Sequence, residues 1–335
     1  CESISRVLLK CISMIEKKSR EYEIEDVFRT YGVLTREAGF YFYFSRKIRE
    51  LRECGHEGTA RAYASSLRSM QRYLGKKDFP FIKLSSRIIS DYQGKLLASG
   101  ICDNTIGFYL HNIKALFRKG CREMGLELPC PFRDISIKTE KTLKRSLDPV
   151  VIKTLSAIEL EKDSPLSLAR DIFMFSFYTR GMSFVDIALL KKRHVFPGEI
   201  CYRRHKTDQL MRVGINKEIS RILERYKNVP GEYIFPLFPA ERDPYAGYRS
   251  AYHRIRYSLG KISRVIGLEF PLRLHAARHS WATIAKVNGA SVHVIGECLG
   301  HTSEKTTRIY LKELDHSALD AVNNQVADFI LAVDD

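Results

Sequence analysis

Between Thr59 and Leu74 the apolar residues Ala60, Tyr63, Leu67, Met70 and Leu74 fall alternately three and four positions apart, and Gly75 follows. That spacing lines one face of a 3.6-residue helix. A glycine just past the last apolar position stops it. The same periodicity governs the region from Thr35 to about Leu128 and commits it to helices. Thr35–Leu51 reads as a helix rich in Phe and Tyr. Ser86–Ala98 reads as a third helix, ended by Gly100. Asn104 is expected to cap a fourth, with Ile106, Leu110, Ile113 and Phe117 facing inward.

Two of these helices carry basic stripes. Arg61, Arg68 and Arg72 lie seven and four apart, and Lys114, Arg118 and Arg122 recur every four residues. Either stripe alone fits a solvated face. The balance of the whole chain, 55 Lys and Arg against 39 Asp and Glu for a formal charge of +16, favours a polyanion. Such a field draws in nucleic acid by counterion release, so backbone contact by both stripes is the expectation.

At 335 residues the chain can build two cores, and at 44% apolar content it is globular. Its eight cysteines include no C-x-x-C pair and read as reduced thiols of a cytoplasmic protein. No signal peptide is visible. The most apolar run, Ile172–Leu190, is interrupted by Arg180 and Asp186. It therefore reads as a buried helix or helix pair, and no membrane contact is expected.

Pro129–Leu147 is basic and mostly aperiodic, with Arg133, Lys138, Lys141, Lys144 and Arg145, and reads as an interdomain linker. Asp148-Pro149 follows as a cap and a first-turn proline. Beyond it the pattern is helical at both ends with a short β section between. Glu199–Arg204 and Leu210–Ile215 are expected strands around the turn His205–Gln209.

The segment Leu272–Leu311 gathers the chemistry: His275-Ala-Ala-Arg278-His279, then Leu299-Gly300-His301, then Tyr310. The set suits attack of a tyrosine on a phosphodiester. A phenol of pKa near 10 is ionised in only about one molecule in a thousand at neutral pH, so it needs a base. The non-bridging oxygens need fixed cations, the leaving oxygen needs a proton, and the nucleophile needs a rigid element. Tyr310 lies on an expected helix Ser303–Leu314 capped by Ser303. His275 and Arg278, three apart, share a helix face. Lys206 sits at a turn tip with reach into a groove. His275 and His279 are spaced as zinc ligands, but Ala276 stands where the metalloprotease pattern wants Glu, and no cysteine is near. Neither metal nor cofactor is therefore expected. His279 is expected to pack beside Trp281, and Asp186 to act as a helix cap or as an arginine partner.

Together these residues resemble the tyrosine recombinase (phage-integrase) family. That family carries an arginine in an early helix of its catalytic domain, a hairpin lysine, His-x-x-Arg, a Leu-Gly-His turn and a tyrosine about nine residues on. Lys206-Thr207, His275-Ala-Ala-Arg278, Leu299-Gly300-His301 and Tyr310 fit the last four. Ala60-Arg61-Ala62-Tyr63 and Asn104-Thr105-Ile106 look like the family's core-binding domain. The first arginine departs from the pattern. Matching on Asp186-Ile-Ala-Leu-Leu puts Ser183 at its position, with Arg180 the nearest arginine and Arg170 in reserve. A shift of three helical residues is about 4.5 Å, which a long arginine can partly span. The variant Arg180-Gly-Met-Ser-Phe-Val-Asp186 is similar to integrases of conjugative elements and to phase-variation invertases.

The resemblance implies a mainly α fold with a small β-sheet: a helical SAM-like core-binding domain and a mixed α/β catalytic domain. The expected bounds are a linker or N-terminal helix at 1–34, core-binding domain at 35–132 and basic linker at 133–147. The catalytic domain is expected at 148–314 and a tail docking on a neighbouring protomer at 315–335. It implies a metal-free reaction in which Tyr310 forms a 3′-phosphotyrosyl link. Arg278 and Arg180 would hold the phosphate, Lys206 protonate the leaving oxygen, His275 handle the tyrosine proton, and His301 bond the phosphate. Arg61, Arg68, Arg72, Lys114, Arg118, Arg122, Lys138 and Lys141 would hold the duplex backbone. The implied assembly is a homotetramer on two double-stranded DNA sites, with accessory DNA-bending proteins as further partners. A type IB topoisomerase shares this chemistry and is the enzymatic alternative. A DNA-binding protein that has lost catalysis is the non-enzymatic one.

Overall fold

The computed structural model describes residue 13 and residues 39–138, 140, 146–238, 244–301 and 303–311. The chain divides into two compact units between Thr142 and Leu143.

Among the described residues the first unit is built from α1 (Phe40–Glu53), α2 (Glu57–Leu74), α3 (Ser86–Ala98) and α4 (Asp103–Glu123), with a 3-10 turn at Phe81–Lys83. The helix read from Thr35 starts at Phe40, and residues 35–38 lie outside the described chain. Its start is set from afar. The carboxylate of Asp78 accepts from the backbone N–H of Tyr41 at 2.8 Å and of Phe42 at 2.9 Å, satisfying two first-turn donors. Gly39 lets that carboxylate in, because a Cβ there would stand 2.0 Å from Asp78 Oδ2. The core of the unit is aromatic. Phe81 meets Phe40 edge-on at 4.9 Å between ring centroids and Tyr43 at 5.3 Å.

Asn104 is not the cap of α4. The helix begins at Asp103, and the Asn104 amide pairs instead with the backbone of Glu140, donating to its carbonyl and accepting from its N–H at 3.0 Å each. This pairing belongs to a strap laid over the unit. Phe132 is fully buried, Ile135 and Ile137 pack on the same core, and Gln93 donates to the Ser136 carbonyl at 3.0 Å. Residues 133–138 and 140, read as part of a linker, are thus fastened to the first unit.

The second unit opens with α5 (Pro149–Ala157), where Asp148 accepts from Val150 N–H at 2.8 Å with proline in the first turn. The apolar run resolves into a helix pair, α6 (Pro165–Tyr178) and α7 (Phe184–Ala188), with Arg180 in the turn between them. Helix α6 is central. It packs against α5, α8 (Lys217–Arg225), α9 (Pro244–Val265) and α10 (Leu274–Val287). Burial on all sides is why its sequence is apolar on all sides. Among the described residues no helix is long and apolar enough to cross a membrane.

An antiparallel sheet lies in this unit, in the order β1 (Val195–Phe196), β2 (Glu199–Arg203), β3 (Leu210–Gly214). Ile200 faces Val213 and Tyr202 faces Met211, and these four side chains are buried. The two longer strands match the alternation in the sequence. β1 has two residues, too few for a period to show. Helices α11 (Val292–Leu299) and α12 (Glu304–Tyr310) end the described chain.

Candidate active site

The site is assembled from four parts, three turns and one helix, that the second unit brings together. The first follows α6. Arg180 and Gly181 are consecutive left-handed residues, with φ of +59° and +76°. Gly181 N–H donates back to the Ser176 carbonyl at 2.7 Å, which closes the helix end. Glycine takes this conformation freely, whereas an arginine there stores about 1 kcal/mol of backbone strain. The reversal leaves Arg180 half-buried. Arg180 therefore does not sit one helical turn behind the expected position. It precedes Ser183, which is the N-cap of α7.

The second part is Arg278, on the first turn and a half of α10 and only 4% exposed. Its Nη1 donates to the Gly181 carbonyl at 2.8 Å and its Nη2 to the Leu299 carbonyl at 2.5 Å. Nη2 also lies 2.9 Å from His301 Nε2. A guanidinium has no acceptor, so Nε2 accepts and the ring proton sits on Nδ1. Nδ1 in turn donates to Thr307 Oγ1 at 3.0 Å.

The third part is the turn Leu299-Gly300-His301. Gly300 is left-handed, with φ of +63°, and packs on the sheet, where a Cβ would meet Met211 Sδ at 2.8 Å. Arg204, at the end of β2, donates from Nη1 to the Gly300 carbonyl. Ser303 then caps α12, and Thr307 is fully buried beneath Gly296. The backbone of Tyr310 closes α12 three residues beyond Thr307. The helix ends at Tyr310, short of the expected Leu314, and residues 312–335, including the tail at 315–335, lie outside the described chain.

The fourth part is the hairpin loop His205–Asp208, where Lys206 is exposed. Asp186 anchors it. Neither a simple cap nor an arginine partner, its carboxylate accepts from Ser183 Oγ at 2.6 Å and from His205 N–H at 2.8 Å. Ser183 at the expected arginine position is thus half of a Ser/Asp pair that fixes the lysine-bearing loop.

Electrostatics shows which charges converge. The phenol of Tyr202 is pushed up by burial and by Asp186, and pulled back by Arg204, Arg278 and Arg180. His301 is held down to about 4, first by burial and then by Arg278, Arg204 and Lys206. Arg180, Lys206, Arg278 and His301 therefore share one cluster, and Arg204, unremarked in the sequence, belongs to it. His275 is exposed on α10, its ring edge-on to His279 at 4.8 Å between centroids. His279 makes that ring contact, while Trp281 packs on the small core of Ala282, Ile295 and Leu299. Arg170 is engaged elsewhere: it donates to Asp171 at 2.6 Å and to the Ile158 carbonyl at 2.9 Å. Asp171 also accepts from Arg225 and Tyr226. Among the described residues no three metal-ligating side chains converge.

The depressed His301 value gives a pH signature. The unfolded ring takes up its proton near pH 6.5, the folded ring only at about 4. Stability tied to the neutral ring is complete above pH 6.5 and is lost as pH falls through 4. Urea unfolding should show a lower midpoint for the second unit near pH 5 than near pH 7, with His301→Gln losing less of it. An equal drop in the variant would assign the effect to other groups.

In the first unit Arg68, Arg72, Arg118 and Arg122 are exposed and Lys114 is half-buried. Arg61 pairs with Glu57 at 3.3 Å. Lys138 is exposed on the strap, and Lys141 lies outside the described residues.

A helical unit followed by a helical catalytic unit with one small sheet is the architecture of integrases. The phage integrase family profile matches residues 146–316, and the phage integrase SAM-like domain matches residues 39–132. The tyrosine recombinase XerC of Shewanella oneidensis is 26% identical over 226 residues, covering 64% of this chain and 70% of its own. The Tn1549 transposon integrase in complex with transposon right end DNA superposes with a TM-score of 0.63 at 15% identity, over 86% of this chain and 99% of that one. A lambda integrase tetramer bound to a Holliday junction gives 0.59 at 16% identity, over 82% and 78%. The chain belongs to the phage integrase family. It is a site-specific recombinase of the tyrosine type.

Proposed function

We propose that the enzyme cuts and rejoins DNA strands of a mobile element through a 3′-phosphotyrosyl intermediate on Tyr310. Tyr310 Oη attacks the scissile phosphorus and gives its proton to His275. The bond from phosphorus to the 5′ oxygen breaks, and Lys206 protonates that oxygen. Arg278 and Arg180 hold the non-bridging oxygens, where charge builds. For His301 to donate to the phosphate, its Nε2 must gain a proton and Arg278 must turn from that nitrogen to the phosphate. The covalent bond keeps the phosphodiester energy, so the 5′ hydroxyl of another duplex can reverse the step. The chemistry calls on no metal or nucleotide.

The observation that best supports this reading is the Arg278 guanidinium. It joins the Arg180–Gly181 turn to the Leu299–His301 turn, and His301 is bonded in turn to the tyrosine helix through Thr307. Likeness to a transposon integrase supports integration and excision of an element, with inversion as the alternative outcome. The lambda integrase tetramer bound to a Holliday junction supports an assembly of four protomers, and the tail at 315–335 lies outside the described residues. DNA-bending proteins would assist.

Incubation with nicked duplexes should give a protein–DNA adduct that survives denaturant and forms undiminished with chelator throughout. An adduct that needs added divalent metal would contradict the mechanism. The basic residues of the first unit are assigned to the backbone: Arg61, Arg68, Arg72, Lys114, Arg118 and Arg122, with Lys138 on the strap and Lys141, which lies outside the described residues. Neutralising any one that touches a phosphate should weaken binding to all sequences alike and reduce the salt slope by about 1. A sequence-selective loss would make it a base contact.

A further inference from the structure

Arg204 immediately follows the second strand of the sheet, two residues before Lys206. Its Nη1 is anchored on the Gly300 carbonyl, and Arg278 Nη2 is anchored on the adjacent Leu299 carbonyl. Consecutive carbonyls of one turn thus hold two guanidinium groups side by side, at the mouth of the hairpin that carries Lys206. The carboxylate of Asp186 hydrogen-bonds to other groups. Asp186 directs one oxygen to Ser183 and the other to His205 N–H. Like charges held this close repel, and an anion seated between them turns that repulsion into attraction. A guanidinium has five N–H donors in a rigid fork, and the Gly300 carbonyl takes one. The remainder suit a tetrahedral oxyanion. The same cations depress His301, whereas Arg180 is felt at Tyr202.

We propose that Arg204 is a further catalytic residue, a third guanidinium that contacts a non-bridging oxygen of the scissile phosphate beside Arg278. It neutralises charge as the tyrosine adds to phosphorus. The inference rests on the phosphotyrosyl reading above and adds a cation to it. The competing role is positional: Arg204 would merely tie the Leu299–His301 turn to the hairpin.

The two roles separate on a substrate whose charge is removed. The full chain first traps its own substrate covalently from a pool of nicked duplexes of randomised sequence. The recovered duplex is then made with either a phosphate or a methylphosphonate at the scissile position, the latter lacking one charged oxygen. With phosphate, Arg204→Ala should form adduct about 10²- to 10³-fold more slowly than wild type. With methylphosphonate the deficit should shrink to within roughly tenfold, because the charge that Arg204 offsets is gone. Arg204→Lys, which keeps the charge without the fork, should fall between them on phosphate and carries the same comparison if the alanine variant folds poorly. An equal deficit on both substrates overturns the proposal in favour of a positioning role. Full activity of Arg204→Ala on phosphate overturns it outright. Failure of wild type to form any adduct is a separate result, which removes the phosphotyrosyl reading and this proposal with it.

Discussion

Tyr310→Phe should leave the protein folded and able to bind DNA, yet form no covalent adduct, with strand cleavage reduced about 10⁴-fold or more. Phenylalanine keeps the ring and removes the only atom that bonds to phosphorus. A neighbouring tyrosine cannot take over. Of the chain's 17 tyrosines, Tyr202 lies within reach of Arg204, Arg278 and Arg180. It is 6% exposed on β2, and its burial pushes the phenol to hold its proton more tightly. A base would have to work against desolvation at an oxygen that DNA cannot reach. Tyr226 donates to Asp171 and Tyr92 to Ser69 within packed cores, and Tyr43, itself buried, donates to Glu123. Binding measured by mobility shift should match wild type, which separates lost chemistry from lost affinity.

Gly181→Ala should be the most damaging single methyl group in the second unit. Two costs coincide there. The left-handed conformation, with φ of +76°, disfavours any side chain by about 1–2 kcal/mol. The added Cβ would also stand 2.8 Å from Arg278 Cα, a backbone atom, and 2.6 Å from its Cγ. Relief requires α10 to move away, at a further cost of about 1–3 kcal/mol. Urea unfolding should therefore show about 2–5 kcal/mol of lost stability. Cleavage should fall too, because moving α10 breaks the bond from Arg278 to the Gly181 carbonyl. Gly260→Ala is the control. It lies in α9 with nothing within 4 Å of the new methyl, and should stabilise by about 0.5–1 kcal/mol. Equal effects at both positions would refute the packing argument.

Short-range patterns carried much of this fold. The three-and-four spacing marked the inward faces of α2 and α4, Asp148-Pro149 marked the start of α5, and alternation marked β2 and β3. Each is decided by residues within one or two turns of one another. The misreadings fall where a distant partner decides. The start of α1 is set by Asp78, 37 residues away from Tyr41, and Asn104 was drawn from capping by Glu140, 36 residues on. In the site, the ordered motifs named Arg278, His301 and Lys206, which the fold does bring together. Asp186 was misjudged because its partners are a serine hydroxyl and a backbone N–H on the hairpin. Nothing local in the sequence separates Arg204 from the other basic residues of a basic chain. Only its bond to Gly300, 96 positions away, sets it apart.

The central claim is that Tyr310 becomes joined to DNA. It is tested most directly by digesting the trapped adduct with protease and nuclease and sequencing the peptide that carries the residual nucleotide. The account predicts one modified peptide, with the phosphate on Tyr310 linked to a 3′ nucleotide and its partner strand ending in a free 5′ hydroxyl. A nucleotide on Tyr202 or on any other residue, or a 5′ linkage on Tyr310, would contradict it.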